Sequence, residues 1–254
     1  MTRNRSILAL IAVLAVVAGG YLAYDNLLRG DSVAPLALPS TDPDAAATIT
    51  PSSPASTDAA GTEPSATTTT GDGDVAGTWT VTTGSEAGYR VRERLANLDA
   101  ESDAVGRTSD VTGSITVVET AAGAQLTAGE IAIDTTTIAS DEDRLDNRLR
   151  SEGLQTDQFP TATFVLTRPL DVPKAALAGT ATDVTLVGDL TLHGVTRSVE
   201  IPAQAALTNG QIQVAGSLTF PLADFDITAP NVGGFIISIA DEGALEFLVV
   251  FAKG

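Results

Sequence analysis

Residues 184–220 constrain the fold more than any other stretch of this chain, because their apolar pattern predicts three antiparallel strands. Apolar positions are even before His193-Gly194, odd from there to Asn209-Gly210, and even again afterwards. A two-residue hairpin at each dipeptide places all of these side chains on one face of the sheet. The set comprises Val184, Leu186, Leu190, Leu192, Val195, Val199, Ile201, Ala203, Ala205, Leu207, Ile212, Val214, Leu218 and Phe220. The apolar face of such a sheet has to close against another surface.

Similar alternation recurs on both sides of these strands. The segments are 78–81, 87–95, 111–118, 125–134, 162–167, 233–240 and 244–251. We expect the last two to pair across a three-residue turn at Asp241-Glu242-Gly243, with Gly243 left-handed. About eight to ten strands with hairpin connections are typical of a closed barrel or a sandwich.

Residues 140–153 predict one short helix within this all-β pattern. Ser140 precedes three acidic residues, which favour a helix N-terminus, and Gly153 can end the helix. Leu145 and Leu149 are spaced i, i+4 and therefore share a face. The acidic residues lack the spacing of a calcium-binding loop, and the arginines among them supply counter-ions, so we expect no metal site.

Five segments resemble the sequence motifs of the YceI-like proteins, in the family's order, over roughly residues 77–252. They are L-R-S at 149–151, F-P-T-A-T-F at 159–164, G-D-L-T-L-H-G-V-T-R at 188–197, D-F-D at 224–226 and G-A-L-E-F at 243–247. The resemblance implies an antiparallel, up-and-down, lipocalin-like β-barrel with the short helix across one mouth. It also implies a ligand, because some members of that family hold a long polyisoprenoid chain inside the barrel.

The candidate cavity residues are the large side chains of the domain and the apolar face of its central strands. They are Trp79, Tyr89, Phe164, Leu186, Leu190, Arg197, Val199, Ile201, Val214, Leu218, Phe235 and Phe247. The same residues would form an ordinary core if the barrel were packed shut, and an eight-stranded barrel is just wide enough for either outcome. Small inward residues such as Gly188 and Gly216 favour a cavity.

Arg197 stands out among these candidates because its register places it on the apolar face, opposite Leu190. A cation there has to be paired or has to extend to the barrel rim. Two interpretations remain open: a bond to a loop carbonyl or carboxylate at the rim, or a contact with the headgroup of an amphiphilic ligand.

Composition excludes several kinds of chemistry. The chain has no cysteine and one histidine, so it forms no disulfide, thiolate or multi-histidine metal site. Its net charge of −18 repels nucleic acid. We interpret His193 as an exposed turn residue that tolerates a positive φ, and expect His193→Asn to leave stability nearly unchanged. No Gly-x-Ser-x-Gly nucleophile motif occurs, so we expect neither enzyme activity nor a cofactor.

The N-terminal third predicts a membrane anchor and a linker. Residues 7–24 are uncharged and mostly apolar and follow Arg3 and Arg5. We expect an uncleaved signal anchor over 1–29, although a signal peptide cleaved near Val16-Val17-Ala18 remains an alternative. Residues 30–75 hold six of the 12 prolines and no Lys or Arg, which predicts a disordered linker to a barrel domain at 76–254.

Together these features predict a single-pass cell-membrane protein whose barrel is extracytoplasmic and binds an isoprenoid-like lipid without covalent chemistry. The alternative is a non-catalytic adaptor or stress-response module of the cell envelope with a packed barrel. A tunnel favours the carrier, whereas native packing density throughout favours the adaptor. The sequence leaves open whether the barrel forms a homodimer.

Overall fold

The computed structural model describes residues 33–39, 75–95, 101–141, 143–229 and 236–254. Its strands are β1 Gly77–Val81, β2 Glu86–Leu95, β3 Glu101–Thr108, β4 Val111–Thr120, β5 Gly123–Asp134, β6 Thr161–Leu166, β7 Leu170–Pro173, β8 Thr182–Leu192, β9 Val195–Thr208, β10 Gln211–Pro221 and β11 Ile236–Lys253. Its helices are α1 Asp143–Arg148 and α2 Lys174–Leu177, with a π turn at Leu149–Gly153 and 3₁₀ turns at Thr135–Thr137 and Leu222–Phe225.

The strands form one antiparallel sheet that closes into a barrel. Their order is β1-β4-β5-β6-β8-β9-β10-β11-β2-β3, and an additional β1–β11 pairing closes the circle. Several short strands share one place in the barrel wall. β1 and β2 both pair with β11, one after the other along its length, and β4 and β3 pair with β1 and β2 in the same way. β6 and β7 likewise both pair with β5, so the eleven strands occupy eight positions around the barrel. Of the closed barrel and the sandwich that the alternation allowed, the structure has the antiparallel barrel, which the family resemblance implied.

Both predicted two-residue hairpins are confirmed. Leu192 pairs with Val195 and Thr208 pairs with Gln211, as the change of phase requires. His193 and Asn209 have φ values of 51° and 54°, and the glycines that follow have 76° and 74°. Positive φ at both central residues is the type I′ geometry, whose twist matches that of the flanking strands.

The predicted turn at Asp241–Gly243 is wrong. These residues lie inside β11, which continues from Ile236 to Lys253. On the side facing β2 they form a β-bulge, which lies between the Ile239–Glu93 pair and the Gly243–Val91 pair. On the other side Glu242 and Gly243 remain paired with β10. Gly243 has no positive φ. A bulge interrupts the regular pairing of a strand without ending it, and the charged residues and glycine at 241–243 are typical of a turn as well, which is why the sequence resembled one.

The predicted helix is present but short. It begins at Asp143 and continues into the π turn that ends at Gly153. Asp146 is buried and accepts hydrogen bonds from the backbone N–H and the hydroxyl of Ser140 at 3.0 and 2.7 Å. Leu145 is buried against Val91 and Ala104, so the helix covers one end of the barrel. α2 was not predicted and lies towards the other end.

The two inward glycines named above are matched to aromatic rings. A Cβ on Gly188 would lie 2.5 Å from Cζ of Phe164, and one on Gly216 would lie 2.8 Å from Cζ of Phe247. The small residues therefore make room for large neighbours and do not create empty space by themselves.

Seven residues of the predicted linker lie against the barrel. Residues 33–39 lie on its outer surface without helix or strand, with Leu36 and Leu38 half-buried. No helix in the described ranges has the length and apolarity needed to cross a bilayer. Residues 1–29, to which the anchor was assigned, lie outside those ranges.

Candidate ligand-binding cavity

The barrel interior contains three apolar chambers in a row. The upper chamber lies beneath α1 and the π turn, has a volume of about 70 Å³, and is lined by Tyr89, Val91, Ile133, Leu145, Leu149, Leu154, Leu192, Phe220 and Leu245 among others. The helix that the sequence predicted thus supplies the roof of a cavity.

The middle and lower chambers continue this space towards α2. The middle one has a volume of about 80 Å³ and includes Phe164, Leu190, Ile201 and Phe247. The lower one, of about 50 Å³, includes Leu177 of α2. Residues common to neighbouring chambers are Ile133 and Leu245, between the upper and middle ones, and Ile115, Leu126, Leu186 and Val214, between the middle and lower ones.

The lining of these chambers is unsuited to water. Each volume exceeds the 10–15 Å³ that holds one water molecule, but an internal water needs about two to four polar partners. Nearly all side chains facing the chambers are aliphatic or aromatic. Elongated apolar space of this kind fits a hydrocarbon chain better than it fits solvent.

Seven of the twelve candidate residues line this row of chambers. Tyr89 faces the upper chamber, and the other six surround the middle one: Phe164, Leu186, Leu190, Ile201, Val214 and Phe247. The hairpin register brings four of them together, namely Leu186, Leu190, Ile201 and Val214, because β8, β9 and β10 are neighbours whose apolar faces point inward.

The other five candidates lie elsewhere or outside the described residues. Trp79 is buried near the seam between β1 and β11, where its indole N–H donates to the carbonyl of Val75 at 3.0 Å. Val199 and Leu218 are half-buried and pack against the core. Phe235 lies outside the described residues.

Arg197 occupies the barrel rim. Its side chain is exposed, and Nε donates to the backbone carbonyl of Asp224 at 2.8 Å. Of the two interpretations offered by the sequence, the bond to a loop carbonyl is the one observed.

The expectation that His193 is exposed is wrong. The ring is buried and makes an edge contact with Phe159 at a centroid distance of 4.6 Å. Nδ1 lies 3.1 Å from the carbonyl of Phe225. A carbonyl can only accept, so the proton is on Nδ1. The turn folds back over the barrel end, where the 3₁₀ turn and Phe159 cover it.

The hydroxyl of Tyr89 is buried in the wall of the upper chamber. The Tyr89 hydroxyl is buried near Ser140 and Asp146 but forms no hydrogen bond of good geometry with the described residues. Burial, reinforced by the carboxylate of Asp146, raises the pKa of Tyr89 well above its usual 10.0. The phenol is therefore neutral at physiological pH and keeps a proton that it can donate in a hydrogen bond.

A buried ionic cluster lies on the outside of the same sheet. Arg90 Nε and Arg107 Nη2 contact the two carboxylate oxygens of Glu246 at 2.6 and 2.8 Å, and Arg90 Nη1 reaches Asp103 at 3.2 Å. The Glu246 side chain is 5% exposed. The hydrogen bond that Arg90 donates to Glu246 raises the pKa of Arg90, whereas burial lowers the pKa of Arg107.

Neither this cluster nor the lower end of the cavity could be predicted from the sequence. The cluster joins residues that are up to 156 positions apart, and charges alternating with apolar residues along a strand usually indicate a solvated face. α2 is a single turn without a capping side chain. By contrast, the i, i+4 spacing of Leu145 and Leu149 predicted that they share one face of the helix, although it did not show that this face lines a cavity.

Comparisons with known proteins agree on the fold. The model of the YceI-like domain matches residues 79–251. UPF0312 proteins from Vibrio parahaemolyticus and Vibrio vulnificus are each 30% identical over 113 residues, or 42% of this chain. The match spans 56% of those relatives, little more than half their length.

One solved structure is similar over most of its length. It is a polyisoprenoid binding domain from Saccharophagus degradans implicated in plant cell wall breakdown, with a TM-score of 0.51 and 18% identity. The alignment covers 70% of this chain and 99% of that domain. At this identity the similarity concerns the fold.

Proposed function

Because this chain belongs to the YceI-like domain family, whose barrel fold supports the binding of hydrophobic ligands, we propose that its barrel carries an isoprenoid-like lipid. The lipid would thread the row of chambers from beneath α1 towards α2. Binding would be non-covalent, and it would draw on about 25 cal/mol for each Å² of apolar surface removed from water.

The observation that carries this proposal is the arrangement of the chambers in a row. Three small apolar spaces that share lining residues lie next to one another along the barrel, and this elongated arrangement suits an unbranched or methyl-branched chain better than a compact ligand. The similar polyisoprenoid binding domain from Saccharophagus degradans has the same fold, and this supports the choice of an isoprenoid over other hydrocarbon chains.

Tyr89 indicates where the polar end of the lipid would lie. Tyr89 lines the upper chamber, and its neutral hydroxyl is buried in the wall beside the carboxylate of Asp146. A hydroxyl or carbonyl oxygen of the lipid could accept a hydrogen bond there. A negatively charged headgroup would be repelled by Asp146.

The location of the protein is part of the proposal. The uncharged run at 7–24 behind Arg3 and Arg5 supports a single-pass cell-membrane protein with an extracytoplasmic barrel. Such a protein would take its lipid from the bilayer that holds it.

The function can be tested by narrowing the path at one residue. Val214 lines both the middle and the lower chamber, so Val214→Trp should fill their junction and abolish or strongly reduce uptake of a tritiated long-chain polyprenol by the full chain. Val165 is 42% exposed, and Val165→Trp therefore adds the same ring outside the path as a matched control.

Circular dichroism on both variants shows whether the barrel remains folded. Uptake that survives in a folded Val214→Trp protein, or a wild-type chain that takes up no polyprenol, would contradict the carrier function. A packed barrel acting as an adaptor would then remain.

A further inference from the structure

The segment at residues 33–39, here called the strap, binds to a site built on the outer wall of the barrel. Nη2 of Arg90 donates to the carbonyl of Val33 at 2.7 Å, and Nη2 of Arg107 donates to the carbonyl of Ala34 at 3.0 Å. Both guanidinium groups are held by the buried carboxylate of Glu246. Two fixed, nearly buried cations thus present donors to two consecutive backbone carbonyls.

Leu36 extends this contact across the neighbouring strands. It is half-buried at a groove of about 610 Å³ on the outer wall, whose other lining residues include Pro202, Ala215 and Ser217. The strap therefore runs from β2 and β3 towards β10 and β9. Hydrogen bonds to charged donors and burial of an apolar side chain both favour the bound position.

The direction of the strap is set by these contacts. Arg90 lies next to Tyr89 and Val91, which line the upper chamber, whereas Leu36 lies beside residues level with the middle and lower chambers. Val33 is therefore the end of the strap nearer to α1, and Leu36 lies nearer to the α2 end of the barrel. The strap lies outside residues 79–251, which match the family domain, so this feature is additional to that domain.

We propose that the strap fastens the barrel close to the membrane with its α1 end, and hence the upper chamber, directed at the bilayer. This inference rests on the membrane anchor proposed above. The apolar run of the anchor extends at most to Leu28, so only about 17 Å of extended chain separates it from Val33, at 3.3–3.6 Å per residue. A free linker over 30–75 would instead give an average reach of about 40 Å.

The orientation can be measured by energy transfer in proteoliposomes. The chain has no cysteine, so a single dye can be attached at Ser151→Cys above the upper chamber or at Thr180→Cys beyond α2, both exposed positions. In phosphatidylcholine vesicles containing acceptor-labelled lipid, we expect about twofold stronger transfer from position 151, because the barrel ends are separated by roughly 25 Å of tilted strand.

Two matched pairs of variants test whether the strap is responsible. An insertion of about 20 Gly and Ser residues before Val33 adds roughly 25 Å of reach and should abolish the difference, whereas the same insertion between Ala55 and Ser56 should leave it unchanged. Leu36→Asp introduces a charge into a groove lined by Asp171 and Asp183 and should also abolish it. Ala37→Asp, at an exposed position, should not.

Equal transfer from the two labels, or equal effects of the two insertions, would overturn the proposal. So would a full-length chain that fails to float with the vesicles. Polyprenol uptake measured on the same preparations reports separately on the carrier function, so the two proposals can fail independently.

Discussion

At the residue scale, the His193 side chain makes more contacts than a turn residue usually does: a hydrogen bond to the carbonyl of Phe225 and an edge contact with Phe159. Replacing it with Asn keeps a side chain that tolerates φ near +51°, but removes the ring from Phe159. We now expect His193→Asn to reduce the free energy of unfolding by about 1–2 kcal/mol, the sum of an aromatic edge contact and a hydrogen bond. Urea denaturation measures the change.

The second hairpin provides the control for this prediction. Asn209 occupies the equivalent position and is exposed, so Asn209→His should change stability by less than about 0.5 kcal/mol. If His193→Asn changes the free energy of unfolding as little as its control does, the contacts of the buried ring contribute little to stability.

Tyr89 gives a prediction about alkaline pH. Its pKa is raised in the folded state, so the unfolded chain loses the phenolic proton first as the pH rises. The stabilising contribution is complete below about pH 10 and decreases above it, until the pH reaches the folded pKa. Thermal melts between pH 9 and 11 should show a decline that is shallower in Tyr89→Phe, and identical slopes would contradict the burial of this hydroxyl.

At the element scale, the close approach of β6 and β8 depends on Gly188. A methyl group there would collide with the ring of Phe164 and with the backbone of Val165 at 2.4 Å. We expect Gly188→Ala to cost about 1–3 kcal/mol of unfolding free energy. Adding Phe164→Leu should recover part of that loss in a double-mutant cycle. Strictly additive effects would show that the collision with the Val165 backbone alone causes the destabilisation.

The elements also show what the sequence can and cannot predict. The two hairpins were predictable because a two-residue turn inverts the phase of alternation, and each dipeptide contains the glycine that this turn favours. At Asp241–Gly243 the apolar residues stay on odd positions, Ile239 before and Leu245 after, and a three-residue turn and a bulge within one strand both allow this, so alternation alone could not distinguish them. β3 was missed because its sequence, E-S-D-A-V-G-R-T, carries polar residues on both faces.

At the scale of the whole molecule, the interior and the exterior differ in predictability. Inward residues of consecutive strands follow from local alternation, and the sequence therefore predicted the central wall of the chambers around Leu190 and Ile201. The Arg90–Glu246–Arg107 cluster and the strap depend on the closure of the barrel, which joins distant parts of the chain. No local pattern encodes such contacts.

The cluster leads to a prediction at this scale. Glu246→Gln removes the shared counter-charge of two nearly buried arginines, and we expect it to destabilise the barrel by about 3–5 kcal/mol. Asp103→Asn removes a more exposed partner of Arg90 and should cost clearly less. Chemical denaturation of both variants checks the ranking, and equal costs would mean that the burial of Glu246 has no energetic consequence.

Native mass spectrometry of the full chain, purified under mild conditions, tests the central claim most directly. We predict one bound lipid per barrel, which organic extraction and tandem mass spectrometry identify as a molecule with an isoprenoid chain. A barrel that carries no lipid, and that remains unloaded after incubation with polyprenol, would contradict the account.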